Sequence, residues 1–285
     1  MFKHIFLWSF LFLTGSFASA QGQRLSADQN KIVSAPWVKK EVSPAISWKY
    51  YNFEDLFESK QSITVLEVDP SKEAIEVELP HVESGFVTTS QFGEQSNSFA
   101  AINGSFFNTK TGGSTVFLKQ GDSIYTRTRE KFTSYRENAG FAIDHQGSVR
   151  IVSRPPDGWA SLKKYPTLLA SGPLLLCDNQ IVEQKDQAFN TNRHPRTAIG
   201  TTKDGKLIAV VVDGRNTNAH GATIKELSII MQALGCVVAM NLDGGGSSTA
   251  WVKNYGVVNF PSDNKKFDHY GERAVANAIC FKITQ

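Results

Sequence analysis

The chain has 285 residues, 41% of them hydrophobic, with a formal charge of +3. That is enough apolar material for one large domain or two small ones, and it excludes a disordered chain. Lysine and arginine never run longer than two in a row and charges of both signs are interspersed, which excludes a nucleic-acid-binding surface.

At the N-terminus, Lys3 and His4 precede an apolar run from Ile5 to Leu13, and Ala18-Ser-Ala20 supplies a small-x-small cleavage site. This is the pattern of a secretory signal peptide over residues 1–20. A membrane anchor would need about 20 apolar residues, so the expectation is an exported protein, periplasmic or extracellular, with no integral membrane segment after cleavage. Residues 21–61 read as a leader that becomes aromatic and packs on the domain, which then occupies 62–285.

From Ser62 the text alternates. Ser62 to Val68 and Ala74 to Leu79 have the period of half-buried strands, and Asp69-Pro-Ser71 between them predicts a hairpin. Thr88 to Asn97 predicts a short helix, and Phe99 to Asn103 a buried strand that runs straight into Gly104-Ser-Phe-Phe-Asn108. Phe141–Asp144 and Ser148–Val152 predict a second hairpin, and Pro173 within an apolar run predicts an edge or a bulge. Arg196 opens a small-residue strand, and Lys206 to Asp213 is nearly continuous in apolar residues, as a strand buried on both faces must be.

One helix is clear. Thr223-Ile-Lys-Glu226 is a capping box, the apolar stripe Ile224, Leu227, Ile230, Met231 and Leu234 follows, and Gly235 closes it. Cys236 and Cys280 lie in apolar runs and read as buried small hydrophobes. The whole predicts an α+β fold, a mixed but largely antiparallel sheet core with a few helices, in a single domain.

The stretch that organises the rest is Asn241-Leu-Asp-Gly-Gly-Gly-Ser-Ser-Thr249. It puts Asp243 just past a strand end, before three glycines that remove every Cβ and let backbone amides approach a ligand. Polar groups recur at other strand ends: Asn103, Arg196, and Asp213 with Arg215, while Arg273 opens the last strand. Together they suit a ligand with hydroxyls and negative charge. Carboxylate and Asn groups bind sugar hydroxyls, and arginine and exposed amides bind phosphate. There is no G-x-S-x-G, H-E-x-x-H, C-x-x-C, Walker loop or dinucleotide fingerprint. Neither a metal nor a cofactor is expected, although a hard cation on Asp243, Asp213 and Asn groups stays open.

At these residues the chain resembles the phosphodiester glycosidase family, over roughly 62–283. Asn103-Gly-Ser-Phe-Phe107, Pro195 to Gly200, Asp213-Gly-Arg215, Thr223 to Glu226, Asn241 to Ser247, Pro261-Ser-Asp263 and Arg273 look like that family's motifs in its order. The resemblance implies hydrolysis of a sugar-1-phosphodiester, of the N-acetylglucosamine-1-phosphodiester kind or within a phosphorylated polysaccharide, to free sugar and a phosphomonoester. The catalytic set is then Asp243, Arg196, Arg273 and Asp213. Asp243 acts at the anomeric carbon as nucleophile or as base for water, and the arginines neutralise phosphate. The binding set is Asn103, Ser105, Arg215, Asn241, Gly244, Gly245, Gly246 and Ser247, with Glu226 added although its capping role is sufficient. Glu272 is a further carboxylate that reads as a solvated surface residue. Two alternatives stay open: a non-catalytic glycan-binding protein of the cell envelope, and a phosphodiesterase cutting P–O.

Overall fold

The strand Leu207–Val212 is buried at all six positions, and the other sheets and helices are arranged around it. Its side chains alternate between two cores, as strand geometry requires. Leu207, Ala209 and Val211 face one; Ile208, Val210 and Val212 face the other. A computed structural model describes residues 25–121, 123–128 and 135–284. The signal-peptide reading of residues 1–20 lies outside the described residues.

Leu207–Val212 lies inside an eight-stranded sheet, between Gln61–Val68 and Arg196–Thr202. Beyond Arg196–Thr202 come Cys236–Asn241 and then Leu174–Cys177. One face of this sheet is covered by the helices Ala27–Ser34 and Ile224–Ala233. The second buries Ile224, Leu227, Ile230 and Met231 completely, each contributing ~2 kcal/mol of apolar transfer. The Thr223–Glu226 capping box forms as expected, and Gly235 ends the helix at φ +88°. The other face packs on two five-stranded sheets. One contains the predicted hairpin Ala139–Ile143 with Val149–Ser153. The other contains Ala100–Asn103 between Ala250–Val252 and Ala278–Ile283. Every strand ladder among the described residues is antiparallel. The fold is the expected α+β domain built on antiparallel sheet.

Two local expectations are corrected. Gln61–Val68 and Ile75–Glu78 do not form a hairpin. The first pairs with Ile46–Phe53 and Leu207–Val212, the second with Ala278–Ile283 in another sheet. The Asp69 turn exists, its carboxylate accepting from the Ser71 amide at 3.1 Å, but it carries the chain from one sheet to the next. Apparent alternation misled because Gln61, Ser62 and Thr64 are buried as well, so this strand has no solvent face. The segment read as a leader supplies Val38–Glu41 and Ile46–Phe53, the latter paired over eight residues with Gln61–Val68. At Gly172-Pro173 the chain leaves Thr167–Ser171 in one sheet for Leu174–Cys177 in another, where the register shifts.

Candidate active site

Asp243 sits where two sheets meet. The ladder between Cys236–Asn241 and Arg196–Thr202 ends at Asn241 opposite Ala198, and the Leu242 amide adds one more bond to Thr197 O at 2.8 Å. Asp243 then crosses to the neighbouring sheet. Its amide donates to Gly104 O at 3.1 Å and its carbonyl accepts from Asn103 Nδ2 at 2.9 Å. Asn103 is fully buried, and its Oδ1 accepts from Thr197 Oγ1 at 2.7 Å and from the Thr249 amide at 3.1 Å. One side-chain amide thus ties three segments together under Asp243. Asn103 was expected to orient sugar hydroxyls; its hydrogen-bonding groups are spent on the chain instead.

The glycines make room for neighbouring groups. A Cβ on Gly244 would stand 2.7 Å from Pro195 O. Gly245 has φ +66°, where L side chains are strained, donates its amide to Pro195 O at 2.8 Å, and carries the Arg215 guanidinium on its open face. A Cβ on Gly246 would stand 1.8 Å from Asp263 Oδ1 and 2.4 Å from Arg273 Nη2. These glycines therefore seat guanidinium groups, and the Gly245 amide is turned toward Pro195 rather than toward a ligand.

Asp243, Arg273 and Arg136 line one cavity of about 390 Å³, walled by Phe106, Phe107 and Thr115. Arg273 holds Asp263 bidentately, Nε to Oδ2 at 2.7 Å and Nη2 to Oδ1 at 2.9 Å, with both side chains about one third exposed. Arg136 lies with its guanidinium carbon 4.4 Å from the Phe189 ring centroid and 5.8 Å from that of Phe106, an arrangement favourable to a cation. Burial pushes the Asp243 carboxyl above the usual carboxylate range. The Ser247 hydroxyl and the Gly244 amide oppose that rise, followed by the charges of Arg273 and Arg136. Ser247 Oγ lies beside the carboxylate as a polar neighbour, without completing a hydrogen bond of good geometry. The chemical content is one half-buried carboxylate and two guanidinium groups lining one partly open cavity.

Arg196 does not join them. Its side chain is 1% exposed and donates to Ala222 O at 2.9 Å, Phe189 O at 2.6 Å and Asn192 O at 3.1 Å. Strand parity explains the placement: Thr197 faces Asn103, so its neighbour Arg196 faces the other way. Arg196 lies 4.8 Å from the Phe189 ring, the ring that Arg136 also covers. It thus acts from beneath the site. Arg136, at the start of Arg136-Glu137, escaped the sequence reading because no motif or periodicity marks it.

Asp213 is also withdrawn from the cavity. It is fully buried and accepts from Ser62 Oγ at 2.7 Å, Asn259 Nδ2 at 2.8 Å and the Phe260 amide at 2.9 Å. Burial pushes its carboxyl up to about 6, against the pull of Asn259, Ser62, the Phe260 amide and His269. Asn259 also donates to Ser248 O at 3.0 Å and accepts from the Ala250 amide at 2.8 Å. Asp213 therefore holds the end of the glycine loop through Asn259. Asn241 donates to Gly172 O at 2.8 Å and to Leu242 O at 2.6 Å. Ser105 is buried, its amide donating to Asn277 Oδ1 at 2.6 Å. Glu226 completes its capping box and pairs with Arg193 at 2.6 Å. Glu272 caps the helix Thr89–Gln95, accepting from the Ser90 amide at 3.2 Å. None of Asn103, Ser105, Arg196, Asp213, Glu226, Asn241 or Glu272 lines the cavity that holds Asp243. Among the described residues no group of three or more His, Cys, Asp or Glu side chains is placed to hold a metal ion. No helix among them is long and apolar enough to cross a membrane.

Comparison with known proteins follows the same lines. A family model described as phosphodiester glycosidase matches residues 96–282. An uncharacterized SPbeta prophage-derived protein of Bacillus subtilis, YomE, is 43% identical over 61 residues, covering 21% of this chain and 10% of that protein. The N-acetylglucosamine-1-phosphodiester alpha-N-acetylglucosaminidase of Bos taurus is 26% identical over 209 residues, covering 68% of this chain and 38% of the bovine one. The chain thus spans well under half the length of these relatives. Among solved structures, the zebrafish N-acetylglucosamine-1-phosphodiester alpha-N-acetylglucosaminidase catalytic domain, auto-inhibited by its pro-peptide, superposes with a TM-score of 0.67 at 23% identity over 85% of each chain.

Proposed function

The chain belongs to the phosphodiester glycosidase family, and on that premise we propose that it hydrolyses a sugar-1-phosphodiester, of the N-acetylglucosamine-1-phosphodiester kind, at Asp243. The observation that carries this reading is the single cavity shared by Asp243, Arg136 and Arg273. Water adds its oxygen to the anomeric carbon, the bond from that carbon to the phosphate oxygen breaks, and the electron pair leaves with the phosphate. The departing phosphomonoester has a second pKa of about 6, far below that of a sugar alkoxide. Strong protonation of the leaving group is therefore unnecessary. That fits a cavity in which Asp243 is the one carboxylate among the described lining residues, where most glycosidases carry two.

Asp243 serves at the anomeric centre as nucleophile or as base for the attacking water, and burial, which raises its affinity for protons, favours the second role. Arg136 and Arg273 neutralise the phosphate, which concentrates binding where charge builds up. Phe106 and Phe107 give the sugar an apolar wall. The signal-peptide pattern of residues 1–20 supports action outside the cytoplasm.

The test is incubation with an aryl phosphodiester of N-acetylglucosamine in ¹⁸O-water. Free sugar carrying the label supports the reading. Label in the phosphate identifies P–O cleavage, and tight binding without release identifies a glycan-binding protein; either result refutes it.

A further inference from the structure

Phe189 does not line the Asp243 cavity, yet two arginines meet its ring. The guanidinium carbon of Arg136 lies 4.4 Å from the ring centroid and that of Arg196 4.8 Å. Phe106, which does line the cavity, meets Phe189 edge-on at 6.2 Å between centroids and 64° between planes. Arg136 stands 5.8 Å from the Phe106 ring as well, so it occupies the corner between two aromatic side chains.

The turn that carries the Phe189 ring is firmly held. Phe189 belongs to the four-residue helix Ala188–Thr191, closed by the Asn190 and Thr191 amides donating to Gln187 O at 2.7 and 3.0 Å. Arg196, 1% exposed, donates to Phe189 O at 2.6 Å and to Asn192 O at 3.1 Å. One guanidinium from the eight-stranded sheet thus grips the turn at two carbonyls, and the buried Asn190 adds a bond to Lys185 O at 2.8 Å. The backbone at Arg136 is fixed independently. Its neighbour Glu137 is fully buried and accepts from the Phe117 amide at 3.3 Å and from Thr128 Oγ1.

The Arg136 side chain itself is exposed, and an exposed arginine has more rotamer freedom than almost any other side chain. A phosphate that had to freeze it would bind more weakly. An electron-rich ring face that attracts the guanidinium restricts those rotamers before any ligand arrives. We propose that Phe189 is the positioning residue of the phosphate site: gripped by Arg196, it holds Arg136 at the Asp243 cavity and sets substrate affinity without touching substrate. The assignment rests on phosphate binding at Arg136, as in the hydrolytic reading above.

The experiment measures methyl phosphate binding by calorimetry in wild type, Phe189→Leu, Arg136→Met and the double variant, with urea unfolding of each. Leucine keeps the apolar bulk and removes the ring. Phe189→Leu is expected to weaken binding about fivefold, the loss of one cation–ring contact, and to cost nothing further in the Arg136→Met background. Phe189→Tyr, which keeps the ring, should bind as wild type does. On an N-acetylglucosamine-1-phosphodiester the same change, about fivefold, should appear in KM with kcat held within about twofold. Unchanged affinity in Phe189→Leu, or equal weakening with and without Arg136, overturns the assignment and leaves the hydrolytic reading in place. The expected binding pattern in a protein that releases no sugar supports the assignment and refutes the hydrolytic reading. If Phe189→Leu unfolds or methyl phosphate does not bind, nuclear magnetic resonance of the wild type decides. An Arg136 Nε–Hε signal, identified by its loss in Arg136→Met, that is ring-shifted and ordered supports the assignment; an unshifted, mobile signal overturns it.

Discussion

Replacing Gly246 by alanine tests whether the glycines act by making room or by flexibility. The added Cβ would stand 2.4 Å from Arg273 Nη2 and 1.8 Å from Asp263 Oδ1. Ordinary contact begins near 3.4 Å, so the ion pair must retreat by about 1 Å or more. The pair is about one third exposed and can move, and Gly246 does not occupy the left-handed region. The cost in stability is therefore small, within ~1 kcal/mol. The cost in activity is not, because a displacement of about 1 Å at a charged contact can lower the rate ~100-fold. The assay is kcat/KM on an N-acetylglucosamine-1-phosphodiester alongside urea unfolding of the same variant. A variant as active as wild type would show that Arg273 has no part in binding phosphate. A variant that fails to fold would show that the loop is constrained by more than the pair.

Asp243→Asn is expected to lose roughly 10²–10³ in kcat, measured with the same ester, while near-normal turnover would remove this carboxylate from the chemistry. The acid limb of the kcat/KM profile should lie above the free-carboxylate value of 3.8, because burial raises the Asp243 carboxyl, and should move further up in Arg273→Gln, which removes a charge that lowers it. Asp213 carries a stability prediction with a definite sign. Its folded carboxyl titrates at about 6 against 3.8 for an unperturbed aspartate, so the native protein binds the extra proton and stability falls as pH rises between those values. The loss is about 3 kcal/mol at roughly 1.4 kcal/mol per pH unit, and urea unfolding of Asp213→Asn across that window should lack it. The two arginines at Phe189 separate by role. Arg196→Met, which strips the partner from three carbonyls, should lower unfolding free energy by several kcal/mol. Arg136→Met should raise KM with stability changed by no more than ~1 kcal/mol, as thermal unfolding and initial rates will report.

The sequence made some features legible and hid others, for physical reasons. Leu207–Val212 could be read because a strand buried on both faces must be apolar throughout. The helix Ile224–Ala233 could be read because its capping box and closing glycine are local signals. Asp243 could be read because a carboxylate followed by three glycines is rarely needed for a turn alone. Arg196 could not. Adjacent strand residues face opposite ways, so either Arg196 or Thr197 had to turn inward, and only the distant Asn103 decides which. Arg136 was hidden more deeply, since its position depends on Phe106 and Phe189 from separate segments. Asn103 was read as a strand-end group that orients sugar hydroxyls, whereas its side chain bonds Asp243 O, Thr197 Oγ1 and the Thr249 amide. A polar residue at a strand end can serve a ligand or the backbone, and composition does not distinguish them.

On the proposed hydrolysis at Asp243, this division of labour accounts for the use of one carboxylate. Several polar side chains near Asp243 hold other parts of the chain: Asn103 bonds Asp243 O, Asn241 bonds Gly172 O, and Asp213 bonds Asn259 at the loop's far end. The charged side chains lining the cavity are Asp243, Arg136 and Arg273, the last of them held by Asp263. A glycosyl phosphodiester presents the complement, an electrophilic carbon beside a single anionic phosphate. Because its leaving group needs little protonation, a second carboxylate would add only repulsion against that phosphate. The glycines complete the argument: with no side chains of their own, they let the Arg273–Asp263 pair and Arg215 pack directly onto the loop that carries the acid.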